Sequence, residues 1–363
     1  MGPSSTTAPE RRQRRRDYAT FAVEQPITTF ARITVTTRRE ILVAAGSGLG
    51  LLAVPRLASA QRAEKIRRIG FLGTGTAAGM AVWVGALRAE LRQLGHVEGQ
   101  NLSIEYRWAD GQYERAPELA AELVRLKVEV LVTHGTPGTL AAKGATTTIP
   151  IVMASVGDAV FAGLVKSLAK PGGNVTGSSF FNPELAAKRL ELIKEALPQA
   201  VRVATLVNSD NPGLGSLRDA MVPMAKSLKL ELHSMDVRRP ADFEGAFKTM
   251  ADKRVAAVVV VEDGMLNANI QAIADLAARR RLPSIGLPEL ARAGGLMAYG
   301  VDFSEMYRRA AVFVDKILKG ASPGDLPIER ATKFETVLNQ KAARAMGITF
   351  PRSVLVRADR TIE

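Results

Sequence analysis

Short apolar runs alternate with segments of helical periodicity from residue 67 onward, and this alternation limits the possible folds more than any other feature. Ile69–Leu72 is an apolar run typical of a strand, and Ala81–Leu94 places its apolar residues on one helical stripe. The order continues with predicted strands and helices in turn: strands at Leu102–Trp108, Val128–Thr133 and Ile151–Ala154, helices at Pro117–Leu126 and Gly138–Ala145. Such an order predicts an α/β fold whose mainly parallel sheet is covered by helices on both faces.

The same pattern starts again at the predicted helix Pro183–Ala196. Predicted strands follow at Val203–Val207, Glu231–Met235 and Val255–Val261, predicted helices at Gly215–Leu228, Asp242–Asp252 and Asn267–Arg280, and two short segments at Pro283–Gly286 and Gly295–Gly300. Two consecutive α/β units of similar size predict two Rossmann-like lobes with a crevice between them.

The C-terminal part does not fit a simple tandem of two units. A predicted helix at Ser304–Leu318 and a Pro- and Gly-containing link precede a late strand, Thr332–Leu338, and a last helix, Gln340–Met346. We interpret this as a chain that crosses between the lobes three times, near Thr176–Phe180, Tyr299–Phe303 and Ile328–Thr332. Lobe 1 is then expected to hold residues 61–178 with 303–330, and lobe 2 residues 179–302 with 331–363.

The N-terminal 60 residues have the features of an export signal. Arg38 and Arg39 form a twin arginine, the apolar segment Ile41–Val54 follows, and Leu57–Ala60 ends in small residues before Gln61. The apolar segment is too short and too rich in Gly and Ala for a stable membrane span. We therefore expect residues 1–60 to be an N-terminal extension and twin-arginine-type signal peptide, and the mature protein to be periplasmic.

Composition excludes several classes of site. The formal net charge is +13, but residues 1–60 carry +5 of it, and the rest is scattered over predicted helix faces, so no nucleic-acid partner is expected. The absence of cysteine excludes disulfides, thiol nucleophiles and Cys-ligated metals. The three histidines, His96, His134 and His233, are not at metal-ligand spacing, so we expect no metal site.

Ligands of open α/β sheets bind beyond the carboxyl ends of the strands, so the segments that follow the strands are the places to examine. These segments are rich in Gly, Thr, Ser and Asn, which suits a small anionic or zwitterionic ligand. Helices starting near Ala77 and Gly138 would direct their positive ends at a carboxylate, and Asp158 or Asp263 would face an ammonium group. The alternative is that such residues only cap helices and shape turns. The predicted ligand-binding residues are Thr74, Gly75, Thr136, Ser155, Asp158, Asn208, Asp263 and Tyr299, the last on a hinge segment.

Two patterns in the sequence are also found in enzymes, but each lacks a residue that the enzyme site requires. Gly73-x-Gly75-x-x-Ala78 satisfies a loose dinucleotide fingerprint, but no acid lies at the expected distance after the second strand. His134 and Ser155 suggest a nucleophile pair, but there is no Gly-x-Ser-x-Gly elbow and no acid is placed to orient the histidine. We assign no catalytic residue and expect no cofactor.

Several segments of the sequence resemble segments of one known protein family and occur in the same order along the chain. They include Leu94–Asn101, Ile104–Arg107, Gly157–Val160 and, most distinctively, Leu168–Gly177, and they continue with Tyr299–Phe303 and Val314–Gly320. These residues resemble the ABC-transporter substrate-binding proteins related to tryptophan/tyrosine importers. The resemblance covers Arg67 to Glu363 and implies a type 1 periplasmic binding fold, with two lobes joined by three crossing segments. Many members of that family have Asp-Pro where this chain has Asp158-Ala159.

The resemblance and the loop composition together predict a receptor for a small organic ligand, an amino acid or another carboxylate, held between closing lobes. Its expected partner is the ABC permease of the inner membrane, and the protein is expected to be a monomer and not an enzyme. Two alternatives stay open: an exported oxidoreductase that binds a nucleotide cofactor, and the ligand-sensing module of a signalling receptor. Few aromatic residues lie in the predicted loops, which does not favour an aromatic amino acid as the ligand.

Overall fold

A computed structural model describes residues 66–363 of the chain. The predicted N-terminal extension and signal peptide lie outside the described residues. Within residues 66–363, no helix combines the length and the apolar character that crossing a membrane requires.

The first sheet has six strands, all parallel, and its order is β11-β5-β4-β3-β1-β2. Its strands are β1 (Arg67–Gly73), β2 (Leu102–Trp108), β3 (Val130–His134), β4 (Ile151–Val156), β5 (Val175–Ser179) and β11 (Glu329–Arg330). Central strands such as β3 and β4 are buried along their whole length, which explains why they are read in the sequence as apolar runs without alternation.

The second sheet has seven strands in the order β13-β12-β10-β9-β8-β6-β7. Its strands are β6 (Arg202–Asn208), β7 (Glu231–Val237), β8 (Ala257–Val260), β9 (Ser284–Gly286), β10 (Met297–Val301), β12 (Phe334–Asn339) and β13 (Arg360–Ile362). The pairing is parallel except between β10 and β12, because β12 enters the sheet from the opposite direction after the last crossing.

Twelve helices lie among the described residues. They are α1 (Ala81–Gln93), α2 (Ala116–Arg125), α3 (Gly135–Ala145), α4 (Asn182–Ala196), α5 (Leu214–Ser227), α6 (Phe243–Asp252), α7 (Gly264–Ala268), α8 (Ile270–Arg279), α9 (Pro288–Arg292), α10 (Phe303–Leu318), α11 (Gln340–Met346) and α12 (Arg352–Leu355). Helix α10 packs against α1 and the first sheet, although it follows β10 of the second. The chain thus passes between the sheets three times: after β5, after β10 and after β11.

Two of the predicted helices differ from the structure by more than one residue. The single helix predicted over Asn267–Arg280 is two helices that break at Asn269, because the Asp263 side chain caps a separate first turn and Asn269 donates to the Met265 carbonyl. Helix α3 begins at Gly135 rather than Gly138, since Gly135 (φ +77°) starts the helix immediately after the strand. Helix α1 begins at Ala81, the start that its apolar stripe predicts, and not near Ala77. Helix α9 and strand β13 were not predicted.

Candidate functional site

The carboxyl ends of strands from both sheets face each other across one cavity. Strands β1, β3 and β4 contribute one side, and the segments after β6 and β8 contribute the other. The lining residues are Thr74, Tyr113, His134, Gly135, Thr136, Pro137, Ser155, Gly157, Phe180, Asn211, Gly213, Leu214, Glu262, Asp263, Gly264, Asn267 and Phe303. None of these lining residues is Lys or Arg, so any anionic ligand group here is bound by neutral donors.

Glycines allow the two sides to approach closely. A Cβ added to Gly264 would lie 2.6 Å from Thr74 Oγ1, and one added to Gly213 would lie 3.2 Å from Thr136 Oγ1. Gly264 and Gly213 belong to the second half of the site, whereas both threonines belong to the first. The two halves of the site therefore touch around the cavity.

The start of α3 is the most polar wall of the cavity. His134 precedes the helix, and the first-turn N–H groups of a helix have no intrahelical acceptor. Thr74 packs on this turn, because a Cβ on Gly135 would lie 3.2 Å from Thr74 Oγ1. Ser155 is the residue paired with His134 on the neighbouring strand β4, which brings its hydroxyl to the same place.

Three buried polar atoms of the cavity have no hydrogen-bond partner among residues 66–363. They are Thr74 Oγ1, Ser155 Oγ and Asn267 Oδ1. Thr74 and Ser155 are fully buried residues. An unpaired buried polar group costs about 1–3 kcal/mol, which makes these three atoms the candidates for contact with a polar ligand.

Asp263 joins the two halves of the site. Its Oδ2 accepts from the Tyr113 hydroxyl (2.6 Å) and from Asn211 Nδ2 (2.9 Å). Its Oδ1 accepts from Asn208 Nδ2 and from the N–H groups that begin α7. Burial raises the pKa of the Asp263 carboxyl above its usual value, while these hydrogen bonds act in the opposite direction. Burial and the neighbouring Asp263 raise the pKa of the Tyr113 hydroxyl, which therefore stays a donor.

Glu262 reaches the cavity from the end of β8 and is held by Arg189. The guanidinium of Arg189 donates through Nη1 (2.9 Å) and Nη2 to the two carboxylate oxygens. It also donates to the carbonyl oxygen of Tyr299 (2.8 Å), and its side chain is fully buried. This ion pair ties α4 to β8 and β10 next to two of the three crossings.

His134 lies in an aromatic cluster and remains neutral. Its ring stacks on Trp83 (centroids 5.5 Å apart), and Nδ1 is 3.0 Å from the Tyr307 hydroxyl oxygen. Burial lowers the pKa of His134 to about 4, because a charged imidazolium would lose its hydration there. Phe303 and Phe180, which pack edge to face, continue the apolar side of the cavity.

A model of one protein family matches most of the chain. The family is described as ABC transporter substrate binding protein, and the match spans residues 77–362. The chain belongs to this family. The family resemblance stated from the sequence is thereby confirmed.

Two solved structures resemble this substrate-binding protein along most of its length. A conserved domain protein from Vibrio cholerae is 30% identical, with a TM-score of 0.78, and the match covers 82% of this chain and 100% of that one. An ABC domain from Streptococcus pneumoniae in complex with L-Trp is 26% identical, with a TM-score of 0.77, and the match covers 82% of this chain and 99% of that one.

A tyrosine-binding protein from Clostridioides difficile is 28% identical over 257 residues, which are 70% of this chain and 74% of that protein. A leucine-binding protein from Thermotoga maritima, 13% identical with a TM-score of 0.56, shares the fold. The prediction of a type 1 periplasmic binding fold is confirmed.

The structure places four of the eight predicted site residues at the cavity: Thr74, Thr136, Ser155 and Asp263. It places the other four outside the lining. Gly75 lines a smaller adjoining cavity, and Asn208 is buried behind Asp263. Asp158 caps its own turn by accepting from the N–H groups of Val160 and Phe161. The Tyr299 ring stacks on Phe334. That these residues contact a ligand stays a prediction.

Asp263 faces the cavity but has five donors of its own. These donors already use both oxygens of the carboxylate, and that Asp263 pairs with a ligand ammonium group stays a prediction.

Several lining residues were not predicted as site residues. Tyr113 and Asn267 are in short helical segments after the strand ends, and Phe180 and Phe303 lie at two of the crossings. The aromatic residues of the cavity thus come from crossing and helical segments, which the search of the predicted loops did not include. His134 was considered in a nucleophile pair with Ser155 and not as a predicted ligand-binding residue, and its place directly before Gly135 was the signal that would have marked it.

Proposed function

We propose that this substrate-binding protein is the extracytoplasmic receptor of an ABC importer and that its ligand is an α-amino acid with an apolar or aromatic side chain. The observation that carries the proposal is the pair of fully buried hydroxyls, Thr74 Oγ1 and Ser155 Oγ, unpartnered beside the first turn of α3. Neutral donors at a helix N-terminus suit a carboxylate.

The rest of the cavity suits the other parts of an amino acid. Asn267 Oδ1 is an acceptor that lacks a donor among the described residues, so this side suits the ammonium group. Phe180, Phe303 and Leu214 offer an apolar surface to the side chain. The relatives described as binding tyrosine and L-Trp support this ligand class.

We further propose that ligand binding closes lobes made of residues 61–178 with 303–330 and of residues 179–302 with 331–363. Closure between hinged domains buries the ligand and presents one lobe arrangement to a membrane partner. In this proposal the protein is periplasmic, monomeric, without catalytic activity, and serves an ABC permease. A sensing receptor in place of the permease is the alternative, and a pull-down from membranes distinguishes the two partners.

The ligand proposal is tested by calorimetry with a panel of amino acids and simple carboxylates. Ser155→Ala removes one unpartnered hydroxyl from the cavity and should weaken binding of the best ligand by about tenfold, the value of one hydrogen bond to a charged group. Ser284→Ala is the matched control, because Ser284 Oγ is also buried and unpartnered but lies on β9, outside the cavity. Equal affinities in the two variants would contradict the assignment of this cavity as the binding site. If the protein bound no amino acid, the proposed ligand class would be wrong.

A further inference from the structure

The hydrogen bond between His134 and Tyr307 can form in two ways, which differ in the donor that is left without an acceptor. The Tyr307 hydroxyl is fully buried, and His134 Nδ1 is its single hydrogen-bond partner among residues 66–363. If Nδ1 carried the ring proton, the phenol hydrogen would have no acceptor. If the phenol donates to Nδ1, the ring proton is on Nε2, and the donor left over belongs to a residue that lines the cavity, where a ligand can accept from it.

The ring N–H is then the one donor of this pair without a partner in the part of the chain that the structure describes, and the residue that carries it lines the cavity. His134 is 5% exposed and lines the cavity, and among the described residues its Nε2 has no hydrogen-bond partner. The ring cannot turn freely, because it stacks on Trp83 at 5.5 Å and meets Phe303 edge-on at 5.7 Å. Its strand neighbour is Ser155, so Nε2 belongs to the same wall as the unpartnered hydroxyls.

We propose that His134 is a specificity-determining residue whose Nε2–H donates a hydrogen bond to the ligand carboxylate, and that Tyr307 is the positioning residue that fixes this tautomer. The ligand half of the proposal rests on the proposed function; the tautomer half does not. Because burial lowers the pKa of His134 to about 4, the donor is a neutral N–H at physiological pH.

Nitrogen-15 NMR of the ring nitrogens tests the tautomer directly. The chain has three histidines, so the spectrum is simple to assign with a His134→Gln sample. The expected result for the wild-type protein is a protonated Nε2 and an unprotonated Nδ1 for His134. Tyr307→Phe should leave both tautomers populated. A wild-type His134 protonated at Nδ1 would overturn the proposal, whether or not any variant folds.

The contact with the carboxylate is tested by pairing variants with ligand analogues. His134→Leu should weaken the best amino-acid ligand by about 10- to 100-fold, as expected for a lost hydrogen bond to a charged group. It should have little effect on the matching amino alcohol, which lacks the carboxylate. His134→Gln keeps an N–H at the Nε2 position and should restore most of the affinity.

Equal weakening of the amino acid and the amino alcohol by His134→Leu would overturn the contact while leaving the amino-acid receptor in place. Failure of the wild-type protein to bind any amino acid would instead overturn the proposed function, and the tautomer result would be unaffected by it.

Discussion

Single residues of the cavity are under conflicting physical demands, and His134 is the clearest case. Its imidazole packs against Trp83, Phe303 and Tyr307. The carboxylate of Glu262, which also lines the cavity, is already paired with Arg189. A histidine in such surroundings favours the neutral form, at the expense of stability in acid.

We predict that His134 makes the protein less stable as pH falls. The pKa of His134 is about 4 in the folded state and 6.5 for the free side chain, so the unfolded chain binds the extra proton first. Protonation of His134 leaves the free energy of unfolding unchanged above pH 6.5. Between pH 6.5 and 4 it lowers this free energy by about 3 kcal/mol in total. Urea unfolding of the wild type and of His134→Gln over this range measures it. Parallel curves for the two proteins would contradict the prediction.

At the scale of elements, the short helix α7 depends on one carboxylate. Asp263 caps α7 through the N–H groups of Met265 and Leu266 and at the same time accepts from Tyr113, 150 residues earlier in the chain. One side chain therefore sets both the start of a helix and a contact between the two halves of the site.

These two roles separate in a pair of variants. Asp263→Ala removes the cap and leaves several buried donors without an acceptor, so the free energy of unfolding should fall by about 3 kcal/mol. Tyr113→Phe removes only the contact across the site and should weaken ligand binding by about tenfold, with a smaller effect on unfolding. Urea unfolding and calorimetry measure the two effects. Tyr106→Phe is the control, because the Tyr106 hydroxyl is also buried but lies on β2 beside Glu98, away from the cavity. The same affinity in both phenylalanine variants would contradict the role given to Tyr113.

The bounds of helices and strands follow from the sequence where neighbouring residues set them, and not where residues distant in the chain do. The strand Leu102–Trp108 and the helix Gln340–Met346 are confirmed with the bounds predicted. The break at Asn269 was missed because the cap that causes it is held by Asn208, Asn211 and Tyr113, which belong to other elements. The loose dinucleotide pattern has a packing explanation: a Cβ on Gly73 would lie 2.4 Å from Trp108, so glycine there makes room for an indole ring.

At the scale of the whole molecule, the close approach of the two halves depends on Gly264. Gly264→Ala would place a methyl group 2.6 Å from Thr74 Oγ1, so we expect closure to be impaired and ligand affinity to fall by at least about tenfold. In solution scattering, the ligand should reduce the radius of gyration of the wild type and not that of this variant. Gly245→Ala, with nothing within 4 Å of the added carbon, is the control. A normal ligand response in Gly264→Ala would show that closure does not bring these residues together.

The sequence by itself determined the α/β class, the restart of the pattern after Pro183 and the strand ends at which Thr74, Ser155 and Asp263 lie. Those features follow from periodicity and turn residues, which act over a few positions. Only the tertiary structure decided that Asp263 is used internally while the hydroxyls of Thr74 and Ser155 are left without partners. The physical reason is that hydrogen-bond satisfaction in a buried site depends on groups that are distant in the chain and meet only when both halves of the molecule have folded.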